Sequence, residues 1–155
     1  MTDRTIEITK TIDAPEERVF KALTDARELE RWFPSGADSD ARSGGAFEYR
    51  FEFPGDPARD HTYGGVYHEV SSDRVSYPWK GKLGETRVDV ELRPSGDATE
   101  VTLRHTGWGE GSDWQESLEM HREGWGFFLD NLKAYLERGE DRRPEALGMR
   151  TTATV

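Results

Sequence analysis

Apolar residues recur along the chain with two periods, and each change of period marks an element boundary. Ile6, Ile8 and Ile12 alternate with polar neighbours, broken only by Lys10, which predicts a half-buried strand over 4–12. The spacing then lengthens. Asp13 stands where a helix cap would, Pro15 and Glu16 fit the first turn, and Val19, Phe20 and Leu23 share one face, predicting a helix over 14–24. Asp25 and Glu28 repeat the capping signature, and Leu29, Trp32 and Phe33 form the stripe of a second short helix, 26–33, stopped before Pro34.

From Gly44 the period returns to two. Phe47, Tyr49, Phe51 and Phe53 fall on one face against Glu48, Arg50 and Glu52, giving a strand over 44–53 followed by a Pro-Gly-Asp-Pro loop. Strands are predicted over 62–71 and 74–81, the second alternating Val75, Tyr77 and Trp79. Thr86, Val88, Val90 and Leu92 set against Arg87, Asp89, Glu91 and Arg93 predict a strand over 85–93, and Val101, Leu103 and His105 another over 98–107. Connections this short leave no room for helical crossovers, so the sheet is expected to be an antiparallel meander with one wet face.

Residues 113–138 read as the one long helix, with Trp114, Leu118, His121, Trp125, Phe128 or Leu129, Leu132 and Leu136 as its inward stripe. A long helix facing an antiparallel sheet, with two short helices after the first strand, is an α+β architecture whose curved sheet wraps around the helix. Residues 1–138 then form a single domain, and 139–155, poor in core-forming residues, a frayed or surface tail.

Charge narrows the partners. Of 155 residues, 31 are acidic and 21 basic, a formal net charge of −10 that repels phosphates and anionic membranes, with no basic stripe to offset it. Nucleic-acid binding and stable membrane insertion are therefore not expected, and no apolar run approaches signal-peptide or membrane-span length. The expected location is the cytoplasm. The absence of cysteine removes disulfides, thiol nucleophiles and thiolate metal sites from consideration.

Candidate chemistry rests on few residues. The chain contains neither a Walker phosphate loop nor a dinucleotide fingerprint, and no cofactor is expected. His105 shares parity with Val101 and Leu103, and His121 lies near the inward stripe of the long helix, so the two can meet. With a carboxylate they could ligate a metal, but the simpler reading is two semi-buried imidazoles bonded to neighbours, and no metal or catalytic residue is assigned. The aromatic load is the stronger signal. Phe47, Tyr49 and Phe51 on one strand, Tyr77 and Trp79 on another, and Trp125 and Phe128 on the helix can hold sheet and helix apart around an apolar cavity.

These residues also carry a family resemblance. Asp13-Ala14-Pro15 with Val19-Phe20 and Leu23-Thr24, Leu29-Glu30-Arg31-Trp32-Phe33, Gly65-Val66-Tyr67 and Tyr77-Pro78-Trp79 match in order. So do the run from Val101 to Trp108 and Gly124-Trp125 with Leu129 to Leu136. Over residues 4–138 the chain resembles the Aha1-type family, the activator of Hsp90 ATPase homologues, of the START/Bet v 1-like superfamily. The resemblance implies a helix-grip fold, in which the C-terminal helix and curved sheet enclose a hydrophobic cavity, and supplies no catalytic residue. The acidic loop 54–61 and the join Val70-Ser71-Ser72-Asp73 depart from the family pattern.

The reading that follows is non-enzymatic binding of a small hydrophobic or amphipathic ligand. Its expected wall is Phe47, Tyr49, Phe51, Tyr77, Trp79, Leu103, His105, Leu118, His121, Trp125 and Phe128, with the two histidines orienting a polar part of the ligand. Two alternatives stand beside it. One is a protein-interaction module, such as an Hsp90-like chaperone regulator, using surface charge and exposed parts of Trp108 or Trp32. The other is an enzyme on a hydrophobic substrate working through His105 or His121. Oligomeric state is open.

Overall fold

Antiparallel pairing of short amphipathic strands builds two sheets that share one apolar interior. The computed structural model describes residues 4–151, so positions 1–3 of the expected domain and 152–155 of the expected tail lie outside the described residues. In chain order the elements are β1 (Ile6–Ile12), α1 (Glu16–Thr24), α2 (Ala26–Leu29), β2 (Gly36–Ser39), β3 (Ala46–Phe51), β4 (His61–Val66), β5 (Glu69–Ser71), β6 (Arg74–Gly81), β7 (Gly84–Ser95), β8 (Ala98–Thr106), α3 (Ser112–Arg138) and α4 (Arg143–Leu147). One sheet has the order β1-β8-β7-β6-β5 and the other β2-β3-β4, every pair antiparallel.

The two sheets part at Tyr67-His68, inside what the sequence presents as one strand over 62–71. Tyr67 exchanges backbone hydrogen bonds with Gly44 and Gly45 at the end of the small sheet, whereas the next N–H, of His68, donates to Ser76 O in the large one. The chain thus changes partners within one residue, and the curved sheet is two sheets. β2 escapes sequence reading because Gly36-Ala37-Asp38-Ser39 carries no apolar alternation; it forms by pairing with β3. Pro78 sits inside β6 at no cost to the ladder, because β5 pairs only as far as Ser76 and leaves that edge open.

Alternation on β7 and β8 sorts their faces as expected. Val88 faces His105, Val90 faces Leu103 and Leu92 faces Val101 on the buried side. On the wet side Glu7, Arg104, Glu91 and Arg74 form cross-strand ion pairs of alternating sign, and Arg87 pairs with Asp89 two residues along β7. Lys10, the break in the pattern of β1, reaches Asp130 on α3 at 2.7 Å.

Helix ends need adjustment. Asp25 caps α2, its Oδ1 accepting from the N–H of Arg27 and Glu28, but Asp13 does not cap α1. The N-cap position is Pro15, and the Asp13 N–H donates to Glu137 on α3 instead. α2 is only one turn long, with Glu30 to Phe33 following as turns whose N–H groups bond back to Ala26, Glu28 and Leu29. Gly139 takes the left-handed conformation, φ 68°, that closes α3, its N–H on Tyr135 O.

Beyond α3 the chain returns to the core, where sequence reading offers only a frayed or surface segment. Arg143 is fully buried, and Met149 and Thr151 nearly so. All five guanidinium N–H groups of Arg143 are used. Two go to Asp141 at 2.8 Å each, and three to the carbonyls of Glu30, Phe33 and Pro34 at 2.7–3.1 Å. Those carbonyls end the α2 turn, so Arg143 satisfies acceptors that no backbone donor among the described residues reaches. Asn131 of α3, also fully buried, completes the knot by donating to Trp32 O and accepting from the Arg142 N–H. No helix among the described residues is long and apolar enough to cross a membrane.

Candidate functional site

Phe33, at the end of the α2 turn, is the hub of an aromatic cluster. Its ring lies 5.0–6.2 Å, centroid to centroid, from Trp32, Tyr49, Phe51, Trp79, Trp125 and Phe128. On one flank this cluster fails to close. Between the small sheet and α3 lies a cleft of about 250 Å³ lined by Phe33, Phe51, Phe53, Arg59, His61, Tyr63, Trp79, Met120, His121, Gly124, Trp125, Phe128 and Leu147. Leu147 comes from α4, so the segment anchored by Arg143 supplies part of the wall.

The sheet side is packed ring against ring. Tyr63 stacks on Trp79 at 3.8 Å, and His61 stacks on Phe51 at 5.0 Å while its Nδ1 donates to Arg59 O at 2.7 Å. Arg59 belongs to a single 3₁₀ turn, Pro57–Arg59, and holds its guanidinium over the Phe53 ring at 4.2 Å. On the helix side Gly124 leaves room, since a Cβ built there meets no atom within 4 Å.

Behind the cleft, hydrogen bonds assign both histidine tautomers. An indole N–H can only donate, so Trp125 Nε1–H, 2.9 Å from His105 Nδ1, requires a lone pair on that nitrogen. Thr86 spends its hydroxyl proton on Trp79 O at 3.0 Å and must accept from His105 Nε2–H at 2.6 Å. In the same way Trp79 Nε1–H donates to His121 Nε2 at 3.1 Å, leaving His121 Nδ1–H to donate to Ser117 O at 2.8 Å. Both rings are neutral and saturated. Burial, reinforced by the neighbouring His121, pushes the His105 imidazole down to about 3, and burial also lowers that of His121. No ring nitrogen of either is left to move a substrate proton.

The expected wall residues thus divide. Phe51, Trp79, His121, Trp125 and Phe128 border the cleft. Phe47, Tyr49, Tyr77, Leu103, His105 and Leu118 are buried in solid core outside its lining. Tyr49 donates to Tyr67, which donates to Ser39, which donates to Thr24 O, at 2.8, 2.7 and 2.6 Å. Burial together with the Tyr67 and Tyr77 hydroxyls holds the Tyr49 phenol well above its usual range.

Sequence reasoning left Arg59, His61, Tyr63, Met120, Gly124 and Leu147 out of the wall, along with Phe33 and Phe53. A glycine inside a long helix, disfavoured by about 1 kcal/mol against alanine, was the one local signal among them. Among the described residues no group of three or more His, Asp or Glu could hold a metal ion.

The fold matches solved structures over most of its length. DynU16, a protein of the dynemicin biosynthetic locus, superposes with a TM-score of 0.75 at 22% identity over 90% of this chain, which spans only 49% of DynU16. A protein from Chromobacterium violaceum gives 0.73 at 26% identity, covering 86% of this chain and 97% of that one. The Aha1 dimer from Colwellia psychrerythraea gives 0.71 at 23%, covering 90% and 99%. No curated protein matches the chain. Residues 13–137 match the family described as activator of Hsp90 ATPase homolog 1-like protein, and the chain belongs to that family.

Proposed function

We propose that the chain binds a small hydrophobic or amphipathic ligand in the cleft between the small sheet and α3, without turnover. One observation carries the reading: the aromatic cluster around Phe33 is open on one flank, and the opening is walled almost entirely by apolar and aromatic side chains. A loosely packed core would scatter its gaps. Here the six expected wall residues outside the cleft are tightly buried, so the space is local to one side. Saturation of His105 and His121 supports binding over acid–base chemistry.

Titration of the protein with a library of small aromatic compounds, read by amide shifts in an NMR spectrum, tests it. Shifts should cluster on Phe51, Tyr63, Gly124 and Phe128. A library that perturbs no cleft residue, or only the outer face of the large sheet, would overturn it.

Family membership favours a second reading, a protein-interaction module of the chaperone-regulator kind. The structure limits which residues such a surface could use. Trp32 is buried with its indole N–H on Ala22 O at 2.8 Å, and Trp108 is half-buried with its N–H on His105 O at 2.9 Å. Val66, Leu83 and Met120 are the exposed large apolar side chains among the described residues. Cross-linking of the folded chain to a purified Hsp90 chaperone is the direct test.

A further inference from the structure

The geometry points to a flat aromatic carboxylate as the class of ligand that the cleft takes, an inference that rests on the binding reading above. Size and shape come first. About 250 Å³ falls below the usual span of pockets for drug-sized ligands, roughly 300–1,000 Å³, and suits a body of one or two fused rings. Faces and edges of Phe33, Phe51, Trp79, Trp125 and Phe128 supply the wall, and aromatic walls favour a planar guest.

Polarity comes second. The lining contains no Asp or Glu, although the chain has 31 acidic residues against 21 basic ones, and its one permanent charge is Arg59. The carboxylate nearest in sequence, Asp60, is engaged by the Phe53 N–H at 2.6 Å. Arg59 makes no ion pair among the described residues and holds its guanidinium over Phe53 at 4.2 Å. Of the other polar side chains of the wall, His121 has both ring nitrogens committed to Trp79 and Ser117, His61 donates its Nδ1–H to Arg59 O, and Tyr63 stacks on Trp79. A negatively charged group on the ligand therefore finds its partner at the rim in Arg59, a cationic fork matched to a carboxylate.

The test compares 2-naphthoate with 2-naphthamide, which share a shape and differ in charge, by calorimetry on the full chain and on Arg59→Gln, with amide shifts to locate each probe. Naphthoate should bind roughly fivefold tighter than the amide, the size that a rim-exposed charge pair supplies. The preference should shrink at high salt and vanish in Arg59→Gln, the ratio of the two affinities being taken within each protein. Equal affinity for the two probes in the parent protein, or a preference that survives Arg59→Gln, would overturn the inference and leave cleft binding standing. Failure of both probes to shift any cleft residue would overturn the two together.

Discussion

The indole N–H of Trp125 meets Nδ1 of His105 at 2.9 Å, joining α3 to β8 through two side chains that are both buried. The bond is one link in a chain that continues through Thr86 to the carbonyl of Trp79, every donor and acceptor along it used. Networks of this kind are sensitive to partial loss, because the group left behind stays buried without water.

Trp125→Phe should therefore cost about 1–3 kcal/mol, the penalty for stranding His105 Nδ1. Trp125→Ala should cost about 3–5 kcal/mol, adding lost aromatic packing. Urea denaturation of the purified variants measures both. A change below roughly 0.5 kcal/mol for the alanine variant would place the ring outside the core.

Acid should unfold the protein earlier than its carboxylates alone require. The His105 imidazole lies near 3 in the folded chain and about 6.5 in the unfolded one, so the unfolded state takes up the proton first. Stability from this group is complete above about pH 6.5 and falls by up to about 1.4 kcal/mol per pH unit on acidification toward 3. His121, also lowered, acts in the same direction. Asp89 and Asp141 are lowered too: burial alone would raise each, but Arg87 and Arg143 respectively outweigh it, and their effects set in as the pH falls through the ordinary carboxylate range, about 4. Denaturation between pH 7.5 and about 5 thus isolates the histidines, and the slope should flatten in His105→Phe whatever its absolute stability.

Arg143 should behave as a core residue despite its type. Arg143→Leu leaves Asp141 and the carbonyls of Glu30, Phe33 and Pro34 short of donors, and should cost roughly 3–5 kcal/mol. Arg143→Lys keeps the charge but not the planar fork and should fall between. Thermal melts give the order. Equal stability of parent and leucine variant would mean that the C-terminal segment is not anchored by this side chain.

Strand alternation and helix periodicity made the interior faces legible, because burial on one side imposes period two or 3.6 directly. Val88, Val90, Leu103, Leu118 and Trp125 all sit where those periods put them. What periodicity lacks is a measure of the gap between two faces: Phe47 and Phe51 share one strand face, yet only Phe51 reaches the cleft. His105 and His121 were expected as polar handles because they point inward, but pointing inward next to Trp125, Trp79 and Thr86 is what saturates them. Arg143 was hidden by residue type, although Pro144 near the start and Gly148 just past the end of Arg143–Leu147 bracket a short helix. That helix lies beyond the family match, which ends at residue 137.

Gly124 offers the sharpest separation of cleft from fold. It lies inside α3, and a Cβ there meets nothing within 4 Å; Gly126, two residues on, is equally open but lies outside the cleft lining. Either glycine replaced by alanine should stabilise the protein by about 0.5–1 kcal/mol, since alanine is the better helix former and no neighbour has to move. The pair diverges with a larger side chain. Gly124→Leu projects into the space bordered by Phe33, Phe51 and Phe128 and should abolish binding of aromatic probes while the protein keeps its fold. Gly126→Leu should leave binding within about twofold, because a surface substitution away from the cleft changes little. Calorimetric titration of both leucine variants with 2-naphthoate, alongside their circular dichroism and melting temperatures, reads the two effects separately. Undiminished binding in a folded Gly124→Leu would place the ligand somewhere other than between the small sheet and α3, because a leucine side chain there takes up much of the roughly 250 Å³ that the ligand needs.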